Sequence, residues 1–258
     1  MIPVNIKDII EKFSKYKIMT RKELYDKWVD RVCRFLEETG PALGPEGKCC
    51  GTFQSAPVLD KSPDVVFLGY NPHEKYGYVP VDKDRFYKGN PDFYASRDKW
   101  RIWKKLYDAM NFVKYLTPLE DGNFVFFNAV YFGSENIAAF KRIPGAEEAI
   151  DRCLDFTEEA IHNIFQPKCV VCFSLQDCFD LLDNKFKFNW KETIVPEFDG
   201  PKAHHVSTKS VKRGLWSSND GKSLIPVLGI PHPSQAISND DWGAIATWLK
   251  EEMQSFGI

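Results

Sequence analysis

The residues best suited to chemistry are an amide at position 71, a second amide at 128 and an imidazole at 232. Asn71 sits in Gly69-Tyr70-Asn71-Pro72, directly after the apolar run Val65-Val66-Phe67-Leu68. Asn128 follows Phe124-Val125-Phe126-Phe127, and His232-Pro233-Ser234 follows Leu224-Ile225-Pro226-Val227-Leu228-Gly229-Ile230-Pro231. Apolar runs of this length read as strands buried on both faces, as in a parallel sheet covered by helices. Gly69 lets the backbone bend closely past a ligand, and the prolines stiffen the exits. Open α/β sheets bind ligands beyond the carboxyl ends of their strands. Two buried strands that deliver Asn71 and His232 to one sheet edge would therefore make a site.

The rest of the chain supplies the elements to hold that edge. Residues Pro3 to Lys17 carry Ile6, Ile9, Ile10 and Phe13 at helical spacing. Thr20-Arg21-Lys22-Glu23 is a capping box that opens a stronger helix, with Leu24, Trp28, Val32, Phe35 and Leu36 on one face and Gly40 as its stop. Residues 41–62 read as loop. Residues Asn71 to Arg97 show no periodicity but hold Tyr76, Tyr78, Phe86, Tyr87, Phe93 and Tyr94; loops this long are usually functional. A helix is expected from about Asp98 to Val113, a strand over Phe124–Val130, a helix over Gly145–Phe165 and a strand over Cys169–Phe173. Ser174 to Asp177 caps a short helix, and Thr193 to Val195 is a weak strand. Ser238 opens a last helix with Trp242, Ile245, Trp248, Leu249 and Met253 turned inward. Strands alternating with helices predict a three-layer α/β/α fold around a central, mainly parallel four-stranded sheet. One domain over 1–258 is expected, with 1–40 as a helical cap and 60–256 as the core.

Bulk properties narrow the partners. A net charge of −2 carries no global signature of a nucleic-acid binder, so any such contact must be a local patch. The dense basic stretch holds Lys202, His204, His205, Lys209, Lys212 and Arg213. Seven cysteines is an odd number without disulfide-framework spacing, and no leader is read at the N-terminus, so a reducing cytoplasm is the expected location. No stretch approaches ~20 apolar residues, so no membrane span is expected. A monomer without metal or cofactor is the expectation.

These motifs, in this order, resemble the uracil-DNA glycosylase superfamily: Gly69-Tyr70-Asn71-Pro72 on the first strand, Asn128 at the end of the second, and His232-Pro233-Ser234 after the fourth. The Gly-x-Asn-Pro version looks like the mismatch-specific and single-strand-selective branches, where an Asn stands in place of the founding branch's catalytic Asp. Arg97-Asp98-Lys99-Trp100-Arg101-Ile102-Trp103 is similar to a helix start of the mismatch-specific branch. The resemblance covers roughly residues 60 to 256. It implies a monofunctional DNA-repair glycosylase hydrolysing the N-glycosidic bond of uracil, or a related deaminated base, in single- or double-stranded DNA. Asn71 would orient the attacking water, and a neutral His232 would donate to uracil O2 as charge develops on the leaving base. The Asn128 carbonyl would accept uracil N3–H while its NH₂ donates to O4. Gly69, Tyr70, Pro72, His73 and Ser234 would shape a cavity sized for one pyrimidine, with Tyr76 or Tyr78 stacking on a base taken out of the strand. Lys209, Lys212, Arg213, Gln235 and Ile237 would contact nucleic acid.

Plainer readings stand beside these. Asn71 could close an Asx turn, Asn128 could be a satisfied buried amide, and His232 a rigid loop residue. The loop aromatics could be a satellite apolar cluster, and the basic stretch a solvated face. The founding branch has an intercalating Leu after His-Pro-Ser, whereas here Gln235-Ala236-Ile237 follows, with only Ile237 able to act as a wedge. At His73 the other branches carry Tyr or Gly. Cys169 and Cys172 face opposite sides of a strand, and Cys49 and Cys50 are adjacent, so the iron–sulfur cluster of some branches is not expected. Two further functions remain: an inactive fold member that binds a nucleotide or nucleic acid, and a hydrolase of free nucleosides or nucleotides.

Overall fold

The computed structural model describes residues 19–46, 48–49, 52–72, 80–91, 93, 100–134, 137–199 and 204–258. The expected helix over Pro3–Lys17, the loop residues His73, Tyr76, Tyr78 and Tyr94, the segment Arg97–Lys99 and Lys202 lie outside them. Six strands, β1 (Val65–Gly69), β2 (Phe124–Asn128), β3 (Cys169–Phe173), β4 (Trp190–Ile194), β5 (Val211–Ser217) and β6 (Leu224–Ile230), form one sheet in the order β2-β1-β3-β6-β5-β4. The four strands expected from sequence are its parallel part, β2-β1-β3-β6. Two antiparallel strands then extend one edge, so the sheet is mixed rather than four-stranded and mainly parallel. Of this extra pair, the weak strand expected over Thr193–Val195 falls on β4, and β5 escaped sequence reading for a physical reason. Lys212 and Arg213 interrupt the buried positions Val211, Gly214 and Trp216 of β5, and β4 is exposed along nearly its whole length.

Side-chain alternation divides the core into two layers. Val66, Leu68, Val125, Phe127, Val170 and Cys172 face one side of the sheet; Val65, Phe67, Phe124, Phe126, Cys169 and Val171 face the other. Helices α1 (Arg21–Thr39) and α4 (Ala146–Glu159) bury their apolar stripes on the first layer. Helices α3 (Arg101–Phe112) and α6 (Asn239–Ser255) cover the second. Between them in sequence come α2 (Lys83–Lys88), inside the long loop, and α5 (Asp180–Phe186). Among the described residues, no helix is long and apolar enough to cross a membrane.

The expected caps are present. Thr20 Oγ1 accepts from Glu23 N–H at 3.2 Å, and Glu23 Oε2 accepts from Thr20 N–H at 2.8 Å. Gly40 ends α1 as expected, without a left-handed conformation: its φ is −54°, and the chain tightens into a 3₁₀ turn over Gly40–Glu46. Ser238 caps α6 by accepting from Asp241 N–H at 3.1 Å. On α1, Trp28 is fully buried among the rings of Tyr25, Phe53, Phe86 and Tyr131, and its Nε1–H donates to Phe156 O at 2.9 Å. The outer edge of β2 is covered by residues 52–55: Phe53 bridges Phe127, and Gln54 N–H donates to Phe126 O at 2.8 Å.

Candidate active site

Asn71 is held by the loop that follows β2. Ala129 N–H donates to Gly69 O (2.9 Å), Val130 N–H to Tyr70 O (2.8 Å) and Ser134 N–H to Pro72 O (3.0 Å), so the two strand exits are laced together. The Asn71 side chain completes this lacing: its Nδ2 donates to Phe132 O at 3.1 Å and to Ser134 Oγ at 2.8 Å. Those partners are 61 and 63 residues away, so the Asn71 amide ties together two distant segments of the chain. With both amide hydrogens engaged, Oδ1 has no partner among the described residues. Asn71 therefore offers the site an acceptor whose orientation is fixed.

Asn128 lies beside it because β1 and β2 are parallel and in register, pairing Gly69 with Asn128. The Asn128 side chain is 5 % exposed and donates through Nδ2 to Thr52 O at 3.3 Å. Among the described residues one amide hydrogen and the carbonyl oxygen have no partner, leaving a donor and an acceptor side by side. Gly69 is what makes room for them. A Cβ at position 69 would stand 2.4 Å from Asn128 Oδ1, far inside van der Waals contact. Gly69→Ala is expected to push the carboxamide aside and to destabilise the fold by about 1–3 kcal/mol, as overpacking does. A denaturation curve and a ligand-binding titration on one preparation check both halves.

His232 leaves β6 in a turn closed by Gln235 N–H donating to His232 O at 2.9 Å. Ser234 N–H donates to its Nδ1 at 3.2 Å, so Nδ1 must carry the lone pair, and Ser234 Oγ donates to the same atom at 2.7 Å. The ring proton then sits on Nε2, which has no partner among the described residues. Burial lowers the His232 pKa below the ordinary histidine value, against an opposing pull from the Asp177 carboxylate. The result is a neutral imidazole with one N–H in reserve.

Asn71, Asn128 and His232 line one cavity of about 1150 Å³. Gly69, Tyr70, Pro72, Ser234 and Gln235, all expected at the site, line it too. The cavity is larger than the expected one-pyrimidine pocket and exceeds the roughly 300–1,000 Å³ usual for small-molecule sites. Sequence reading missed several lining residues: Gln54, Arg85, Asn90, Arg101, Lys141, Phe173 and Asp177. They belong to loops and helix ends; only the Ser174–Asp177 cap and the Arg97–Trp103 helix start, which holds Arg101, drew attention, neither as a site. Ser174 holds φ 117°, a left-handed value costly for a side chain, and its Oγ accepts from Asp177 N–H at 3.1 Å. That turn aims Asp177 at the cavity, where Lys141 Nζ lies 3.7 Å from its carboxylate and 5.2 Å above the Tyr70 ring.

The remaining expected contacts lie elsewhere. Lys212 is held by both oxygens of Asp180 at 2.6 and 2.8 Å, and Arg213 by Glu192 and Glu252, all on the antiparallel side of the sheet. Lys209 is exposed, and Ile237 is half-buried against the second core layer. None of the four lines the cavity. Compared with known proteins, the sequence matches no family model and no curated protein.

Proposed function

We propose that this chain is a monofunctional N-glycosyl hydrolase that removes uracil, or a related deaminated base, from DNA. The observation that carries the reading is the meeting of Asn71, Asn128 and a neutral His232, from three separate strand ends, in one cavity. In the reaction the C1′–N1 bond breaks and its electron pair leaves on the base. The water oxygen bonds to C1′, and the water proton passes to the departing base or to solvent. His232 Nε2–H donates to the oxygen on which negative charge grows, and Asn71 Oδ1 accepts from the attacking water. An amide is a weak base, so turnover is slower than a carboxylate would give. Ile237 packs against the core instead of projecting as a wedge, which favours single-stranded substrates over duplexes. Cys33, Cys153, Cys169, Cys172 and Cys178 are buried free thiols.

The test is incubation with single- and double-stranded uracil oligonucleotides in chelator, followed by alkaline cleavage of abasic sites. Strand scission at the uracil, faster on the single strand, is expected. Saturable binding without scission would favour an inactive binding protein. Asn128→Asp should weaken selection of uracil over cytosine by about 10–100-fold, since one mispaired buried polar group costs about 1–3 kcal/mol. Competition between the two substrates in one tube measures that ratio.

A further inference from the structure

The cavity that holds the two amides and the imidazole also carries an excess of positive charge among its described lining residues. Three cations line it, Arg85, Arg101 and Lys141, against one carboxylate, Asp177, among the described lining residues. Arg101 makes no ion pair or side-chain hydrogen bond among the described residues. The Arg85 guanidinium stands 3.9 Å from Asp82, outside hydrogen-bond range, and Lys141 is 3.7 Å from Asp177. The basic groups of the sheet edge contrast sharply: Lys212 and Arg213 are bound directly by carboxylates, as is Lys191 by Asp183. A chain of net charge −2 that gathers an excess of loosely held cations around one cavity focuses an attractive field there for anions.

From this placement we infer that Arg85, Arg101 and Lys141 form a phosphate-binding rim, and that the ligand is a nucleotide or nucleic-acid strand rather than an uncharged nucleoside. The inference deepens the proposed function and rests on it for the identity of the base. Guanidinium groups suit the task because their forked donors match phosphate oxygens. The cavity's size fits the same conclusion, since about 1150 Å³ admits a sugar and flanking phosphates beside the base. Phosphate contacts position the strand without reading sequence, while Asn128 does the reading.

Fluorescence anisotropy of a labelled single-stranded 15-mer without uracil tests the rim independently of any base release. With three cations engaged, affinity is expected to fall about 20-fold between 50 and 200 mM salt, and about 3-fold in Arg85→Gln/Arg101→Gln. Lys212→Gln should leave the salt dependence as in the parent. Unlabelled dUMP should displace the 15-mer, and deoxyuridine should not. Displaceable dUMP binding with no affinity for the 15-mer would support the rim and assign it to a free nucleotide. An unchanged salt dependence in the double variant, checked as folded by circular dichroism, would overturn the inference. So would deoxyuridine competing as well as dUMP. A normal salt dependence in a protein that releases no base would overturn the glycosylase reading alone.

Discussion

Replacing His232 with alanine is expected to slow base release about 10²–10³-fold, the usual loss when one donor to a developing oxyanion is removed. Most of the loss falls on kcat, because the hydrogen bond strengthens only as charge builds on the departing base. The direction of the pH dependence follows from the tautomer. The form that works is neutral, with Nδ1 accepting from Ser234 N–H and Nε2 bearing the proton. Burial lowers the His232 pKa, so the neutral form persists below the ordinary histidine range and activity falls only as the pH drops through that lowered value. His232→Gln, which keeps an N–H of similar reach, should recover part of the rate and abolish that acidic fall. A single-turnover assay across pH resolves both effects; an unchanged rate in His232→Ala would remove the imidazole from the mechanism.

The largest stability loss is expected at Trp28, far from the cavity. Its ring is fully buried against four aromatic neighbours, and its Nε1–H supplies a hydrogen bond to Phe156 O. Trp28→Ala removes that packing, opens a void between α1 and the sheet, and leaves Phe156 O with only the Ala160 N–H as donor. Core aromatic-to-alanine changes of this kind cost about 3–5 kcal/mol. For a chain of this length that lowers Tm by on the order of 10 °C. Urea denaturation followed by near-ultraviolet dichroism measures it, and a loss below about 1 kcal/mol would contradict the packing described. Base release at low temperature should survive, because no Trp28 atom lines the cavity.

What could be read from the residues follows the strength of local patterns. The four parallel strands were legible because Val65–Gly69, Phe124–Asn128, Cys169–Phe173 and Leu224–Ile230 are almost continuously apolar, as strands covered on both faces must be. Three site residues were legible for the related reason that a polar side chain ending such a run stands out. β4 was legible only as the weak Thr193–Val195 signal, being an exposed edge strand, and β5 was not, because a strand with two adjacent cations carries little alternation. Gly40 was legible as the end of α1, although its backbone angle was not, since glycine permits a left-handed stop but does not require one. Ser174 was legible as a cap and forms it, although its left-handed backbone angle was not announced by composition; the role of Ser134 was hidden because it matters through a contact 63 residues away. Lys212 and Arg213 misled in the opposite way, since a basic run in sequence says nothing of the carboxylates that Asp180, Glu192 and Glu252 bring to it.

The most direct measurement of the central claim is chromatographic detection of free uracil from a single-stranded uracil oligonucleotide, in chelator, for the parent and for Asn71→Ala/His232→Ala. The account predicts one uracil released per oligonucleotide by the parent and almost none by the double variant, with both proteins folded. Release that persists in the double variant, or none from the parent under any strand condition, would contradict it.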